Sequence, residues 1–359
     1  MIKLKTIYEL LHTSVEKFSN NIAFTMLGGE DVTYREVKER VEQVQELLLG
    51  AGLNVGDKVA LLSSSMPNWG VSYFAVTTAG MVVVPLMPDF TGAELDSLIE
   101  HSEAKALLVS DKLFTKLSKE TVAKLNIVIR TKNLSVISQT VNEQGSKVIP
   151  QPEDLAAIIY TSGTTSKPKG VMLTHGQYNN ALKANAECVP IDENDRTINF
   201  LPFAHIFEKA WAILNLTVGA TLIVNTDPRE IQQSMRETQP TCMSAVPRFW
   251  EKVYDGVMER IEKSSPVQKS LLLEALRVGH EYNVDYKMKG MTPPMGLRMQ
   301  YSLYESTIIA FLKKQLGLER ANFFPTAGAA VPPKVEDFVR SAGLRMVVGY
   351  GLTESTATV

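Results

Sequence analysis

The stretch Tyr160-Thr161-Ser162-Gly163-Thr164-Thr165-Ser166-Lys167-Pro168-Lys169-Gly170 gathers side chains able to hold an anion. Leu155 to Ile159 reads as a buried strand before it, and Val171-Met172-Leu173 is a second apolar run after it. Backbone N–H groups freed at Gly163 and Gly170, with the hydroxyls and Lys169, would form a cradle suited to a polyphosphate. A Walker A loop is excluded, because the lysine precedes the second glycine and Pro168 stands where that motif continues. The plain alternative is a polar hairpin, for which the loop is long and unusually rich in these residue types.

Three further stretches could act with it. Val348-Gly349-Tyr350-Gly351-Leu352-Thr353-Glu354-Ser355 ends an apolar run in two glycines around an aromatic, then presents a hydroxyl and a carboxylate. Tyr350 offers a flat face to a base, and Glu354 an oxygen ligand for Mg2+ on phosphate oxygens. The alternative is a solvated glutamate on a turn. Thr326-Ala327-Gly328-Ala329-Ala330 follows a strand expected over Asn322 to Pro325, and small residues there let a ligand reach the backbone. A helix start is the alternative. His205 precedes an apolar helix, where a lone histidine is usually structural.

The order Tyr-Thr-Ser-Gly-Thr-Thr-x-x-Pro-Lys-Gly resembles the phosphate loop of the adenylate-forming superfamily, the AMP-forming acyl-CoA synthetases and their relatives. Ser166 stands where that family usually has glycine. The Tyr350 to Glu354 stretch resembles the family's Tyr-Gly-x-Thr-Glu motif and comes in the right order. Thr326 to Ala330 resembles its Gly-Gly-Ala turn at the adenine pocket, with Ala327 where glycine is common. Leu201-Pro202-Phe203-Ala204-His205-Ile206-Phe207-Glu208-Lys209 resembles the motif whose histidine or aromatic nears the acyl carboxylate, and Glu208 is expected to pair with a basic neighbour. Val246 to Tyr254 and the helical arm after it are similar to the long-chain fatty acid–CoA ligase branch.

The resemblance implies ATP, Mg2+ and coenzyme A as reactants and cofactors, with a fatty acid as substrate. Lys169, His205 and Glu354 become the catalytic candidates. Thr161, Ser162, Gly163, Thr164, Thr165, Ala327, Gly328, Ala329, Gly349, Tyr350, Gly351 and Thr353 would join Lys169 in binding nucleotide, with Thr161 and Glu354 at the metal. The carboxylate would attack the α-phosphate to give acyl-AMP, and CoA would then displace AMP. It also implies a longer enzyme, with a ribose-binding Asp, a hinge and a mobile domain bearing a catalytic lysine beyond residue 359. Residues 1–359 alone would then bind ATP–Mg2+ weakly and adenylate poorly. A homodimer and peripheral membrane contact through the acyl substrate stay open. So do two alternatives: an adenylating enzyme for another carboxylic acid, and a non-catalytic acyl- or nucleotide-binding module.

The positioning elements read as α/β. Strands at Lys58–Ser63, Val82–Leu86 and Ala106–Ser110 alternate with helices at Asn68–Ala79 and Gly92–His101, which predicts a parallel sheet covered on both faces. The resemblance predicts two mostly parallel sheets flanked by helices, in lobes of about 1–175 and 176–359. Asn133 to Pro152 reads as a surface connection with one edge strand. Later strands are expected at Thr197–Leu201, Thr221–Val224, Thr241–Val246 and Arg345–Gly349, with a helical arm over Gln268–Leu316 broken near Gly290 to Gly296. Its apolar residues would line an acyl tunnel or simply form core.

The 359 residues are 45% hydrophobic and 21% charged, with a net charge of −2. That net charge gives no electrostatic case for nucleic acid or for an anionic membrane. Cys188 and Cys242 read as two buried thiols in a reducing compartment, and the expected location is the cytoplasm.

Overall fold

A computed structural model of the chain describes residues 5–161 and 169–357. It divides into two compact units. The first comprises Met1–Asn194, Asn199–Thr226 and Gly351–Val359; the second, Asp195–Ile198 and Asp227–Tyr350.

The first unit begins with α1 (Ile7–Phe18), β1 (Ile22–Met26), β2 (Asp31–Thr33) and α2 (Tyr34–Gly50). Thr33 caps α2 by a reciprocal box: its hydroxyl accepts from Glu36 N–H, and the Glu36 carboxylate accepts from Thr33 N–H at 2.7 Å. Strands and helices then alternate through β3 (Lys58–Leu62), α3 (Pro67–Thr78), β4 (Val82–Pro85), α4 (Gly92–His101) and β5 (Ala104–Val109). Two short helices, α5 (Asp111–Phe114) and α6 (Lys119–Ala123), lead to β6 (Ile127–Arg130) and β7 (Val136–Gln139). The chain returns through β8 (Leu155–Thr161), β9 (Lys169–Thr174) and α7 (His175–Cys188).

These strands form a seven-stranded sheet of order β7-β6-β5-β3-β4-β8-β9, parallel within and antiparallel at both edges. Every residue of α3 is buried, so it is an all-round apolar core helix with no solvent stripe. The edge strand expected between Asn133 and Pro152 is β7. Strand β6 had no counterpart in the sequence reading, because four residues give too short a run to separate from the flanking helices.

Strand β10 (Arg196–Asn199) is shared, with Asn199 belonging to the first unit; its carbonyl accepts from Asn225 N–H at 3.0 Å. Helix α8 (Ile206–Val218) and β11 (Thr221–Val224) follow, and β11 runs parallel to β1, with β2 antiparallel beyond it.

The second unit is mainly helical: α9 (Ile231–Thr238), α10 (Pro247–Lys263), α11 (Pro266–His280), α12 (Met295–Tyr304), α13 (Ala310–Leu316) and α14 (Pro333–Ser341). Strands β12 (Phe324–Thr326) and β13 (Met346–Val348) pair in parallel. Thr241 to Val246 is not the regular strand the sequence suggested. It makes isolated parallel bridges at Cys242 and Ala245, and the Thr241 hydroxyl takes the Arg196 N–H at 2.9 Å, a side chain replacing a ladder bond. The helical arm is present and breaks between residues 288 and 294, close to the Gly290 to Gly296 stretch. Wide π turns (Glu281–Lys287 and Glu305–Ile309) interrupt it, and a stack of Tyr282 on Tyr301 at 4.0 Å ties it together. Cys242 is buried but Cys188 is exposed, because α7 buries no residue beyond Leu182.

Candidate active site

In the first unit, β8 and β9 are the two sides of a hairpin whose last pair in register is Thr161 opposite Lys169. Ser162, Gly163, Thr164 and Thr165 lie between them, outside the described residues. The frame of that loop is defined. Gly170 sits opposite Tyr160, and a Cβ there would meet Ile158 Cγ2 at 2.8 Å, so only glycine fits the crossing. The Tyr160 hydroxyl is 2.7 Å from His101 Nδ1, anchoring the end of β8 to α4. His101 had no signal in the sequence beyond a polar residue closing a helix.

The single 3-10 turn Thr353–Ser355 packs against β9. Thus Glu354 is carried on the element beside the strand that starts at Lys169, and both side chains are exposed. Ser355 shapes the turn: its hydroxyl donates to Leu352 O at 3.0 Å and accepts from Leu352 N–H at 3.1 Å. Thr161, Gly351 and Thr353 are half-buried.

His205 is the N-cap of α8, its Nδ1 accepting from Phe207 N–H at 3.3 Å. Crowding by protein atoms on one side, and then the neighbouring Lys209 ammonium, lower its pKa. A neutral ring whose Nδ1 is an acceptor carries its proton on Nε2, which makes it a hydrogen-bond donor on its open side. Glu208, fully buried, accepts from Asn199 Nδ2 at 2.8 Å.

The second unit brings together the other group. Thr326 pairs with Val348 at the ends of β12 and β13, and Gly349 N–H donates to Thr326 O at 2.9 Å. The turn Ala327, Gly328 and Ala329 therefore lies beside Gly349 and Tyr350. Gly328 has φ +99, a backbone conformation that favours glycine. Tyr350 is 69% exposed, leaving its ring free to stack. Trp250 supports this end from beneath: wholly buried, it donates from Nε1 to Thr326 Oγ1 at 3.0 Å and sits edge-on to Phe324 at 5.1 Å.

The profile of the AMP-binding enzyme family matches residues 11–359. The chain belongs to that family. The chain is 25% identical to the "Probable acyl-activating enzyme 16, chloroplastic" of Arabidopsis thaliana, over 99% of this chain and 57% of the relative. It is 26% identical to "Long chain acyl-CoA synthetase 7, peroxisomal" of the same plant, over 91% and 48%. The chain thus spans about half the length of the curated relatives it matches. The N-terminal domain of FACL13 from Mycobacterium tuberculosis superposes with a TM-score of 0.70 at 19% identity, covering 98% of this chain and 77% of that one. The o-succinylbenzoate CoA synthetase of Bacillus subtilis gives 0.71 at 19% identity, covering 98% and 60%. These likenesses establish the α/β fold of adenylate-forming N-terminal domains, with parallel sheets flanked by helices.

Among the described residues there is no cluster of three or more His, Cys, Asp or Glu side chains that would cage a metal. Mg2+ usually takes one or two protein oxygens and completes its shell with phosphate oxygens and water. Glu354 and the Thr161 hydroxyl are oxygen donors of that kind.

Sequence reading missed Lys209. It is 1% exposed, its Nζ has no hydrogen-bond acceptor among the described residues, and it lies over the rings of Tyr73 at 5.2 Å and Tyr178 at 5.6 Å. Burial pushes its pKa down to about 7. The available signal was a lysine one turn into a mostly apolar helix, on the side that α8 buries.

Proposed function

We propose that this chain is the nucleotide- and acyl-handling part of a ligase that activates a long-chain fatty acid as acyl-AMP and passes it to coenzyme A. The observation that carries this reading is the packing of the Thr353–Ser355 turn against β9, which puts the elements bearing Glu354 and Lys169 side by side in one unit. The long-chain assignment draws on the names of the curated relatives and on the Val246 to Tyr254 stretch with its arm.

The first step joins two anions, so it needs charge neutralisation more than a base. In this reading Lys169 supplies a positive charge to the phosphates. The neutral His205 donates from Nε2 to an anionic oxygen of the acyl carboxylate or the α-phosphate. Tyr350 stacks on the adenine, while Ala327, Gly328 and Ala329 let the base approach their backbone. Thr161 and Glu354 would hold Mg2+, which when bound neutralises phosphate oxygens. Attack by the carboxylate oxygen forms the acyl–phosphate bond and breaks the α–β bridge, releasing pyrophosphate. The CoA thiolate then attacks the acyl carbon and AMP leaves.

The test is acid-dependent ATP–pyrophosphate exchange by the full-length enzyme with palmitate, dodecanoate, benzoate and an amino acid. Exchange highest with palmitate supports the reading. Exchange with benzoate or the amino acid alone would assign another adenylating activity, and exchange with none would leave a binding module. Lys169→Ala and Glu354→Gln are each expected to lower exchange by roughly 10²–10³-fold.

A further inference from the structure

The helical arm of the second unit turns an apolar stripe outward. Met295 and Met299 are each 66% exposed, Leu303 is 62% and Phe311 59%. Met295, Met299 and Leu303 recur every fourth residue on α12, while Leu297 and Tyr301 on its other side pack into the arm's core with Ile309. Steps of four drift by about 40° around an α-helix. The wider π turn at Glu305–Ile309 takes back part of that drift, so Phe311 on α13 stays near the same line. Beside Phe311 a groove of about 350 Å3 is lined by Leu271, Leu272, Ile308 and Leu312, with Arg260 on it. Exposed apolar surface in a continuous row marks a docking face.

The charge around the stripe selects the occupant. Residues 281–316 carry Lys287, Lys289, Arg298, Lys313 and Lys314 against Glu281, Asp285 and Glu305, in a chain whose net charge is −2. Asp285 pairs with Lys289 at 3.1 Å and Lys313 turns inward to the Gly343 carbonyl, which leaves the exposed Arg298 and Lys314 on the stripe's own helices. Basic residues flanking methionine, leucine and phenylalanine fit a surface that is anionic outside and apolar beneath. Among the described residues no helix is long and apolar enough to cross a membrane. We propose that this face of the arm lies on an anionic lipid surface, with the stripe of Met295, Met299, Leu303 and Phe311 in the interfacial layer. The inference deepens the long-chain reading, because a lipid layer is where such an acid collects.

The experiment is sedimentation of the full-length enzyme with vesicles of phosphatidylcholine alone, or with roughly one-third phosphatidylserine. No substrate is present, so failure here leaves the ligase reading untouched. Binding is expected to the anionic vesicles and to fall with added salt. Met295→Ser/Met299→Ser should weaken it at least about tenfold, and Arg298→Ala/Lys314→Ala by about fivefold for each charge near the surface. Exchange activity with a soluble short-chain acid, unchanged in both variants, shows that they fold. Equal binding to both vesicle types, or binding insensitive to the methionine changes, overturns the proposal. So does a dimer, seen by light scattering without lipid, that the methionine changes dissociate, since the stripe would then join two copies.

Discussion

Replacing Lys209 by methionine should make the protein more stable at neutral and mildly acidic pH. Methionine keeps the length and most of the volume of lysine but carries no charge. The ordinary lysine value of 10.5 falls to about 7 here because the ammonium is desolvated. At 1.36 kcal/mol per unit, burying the charged form costs about 5 kcal/mol. Two contacts with the faces of Tyr73 and Tyr178, each worth roughly 1 kcal/mol, offset part of that. The net gain for Lys209→Met is then about 3 kcal/mol where wild type is fully charged in both states, below about pH 7. Between about pH 7 and 10.5 the unfolded chain binds a proton that the folded one does not, so wild-type stability rises with pH and the gap closes. Urea unfolding of both proteins from about pH 6 to pH 10 reads the difference directly. A variant less stable than wild type at about pH 6, or a gap that does not narrow with rising pH, would refute the reasoning.

Three further outcomes follow from the packing. Thr33→Ala removes the reciprocal cap of α2 and should cost about 1 kcal/mol by chemical denaturation, with Thr33→Ser recovering most of it. Gly279→Ala would drive a methyl into the Ser341 carbonyl where α11 meets α14, with a loss of at least about 2 kcal/mol, whereas Gly256→Ala, mid-helix in α10 with open space at its Cβ, should stabilise by about 0.5–1 kcal/mol. His175 is fully buried, accepts from Ile7 N–H at 3.3 Å, and has its pKa pushed down to about 4 by burial. The unfolded chain binds the extra proton between that value and 6.5, so stability should fall by on the order of 3 kcal/mol as pH drops through this window. His175→Gln should flatten that part of the pH profile.

The parts of the fold that could be read from sequence were those where one periodicity dominated. The alternation from β3 to β5 and the apolar run of β8 gave the sheet, because strands buried on both faces read as continuous apolar stretches. Thr241 to Val246 looked like another such strand, yet prolines at positions 240 and 247 and the Thr241 side-chain bond leave it with isolated bridges. The site showed through residue types at fixed order: glycines where the backbone must pass closely, then a lysine, a tyrosine and a glutamate. What stayed hidden were its supports. Trp250 beneath Thr326, His101 on Tyr160 and Lys209 on the rings of Tyr73 and Tyr178 act across long sequence separations, and their roles depend on packing that no local pattern records.

The central claim is that an acyl adenylate forms on these residues, and detecting it is the most direct test. The full-length enzyme, given palmitate, ATP and Mg2+ without coenzyme A, should accumulate palmitoyl-AMP and pyrophosphate, identified by mass spectrometry. Added coenzyme A should convert the adenylate to the thioester, and Lys169→Ala should suppress its formation. Release of ADP with an acyl phosphate, or a Lys169→Ala enzyme that makes the adenylate at the wild-type rate, would contradict the account.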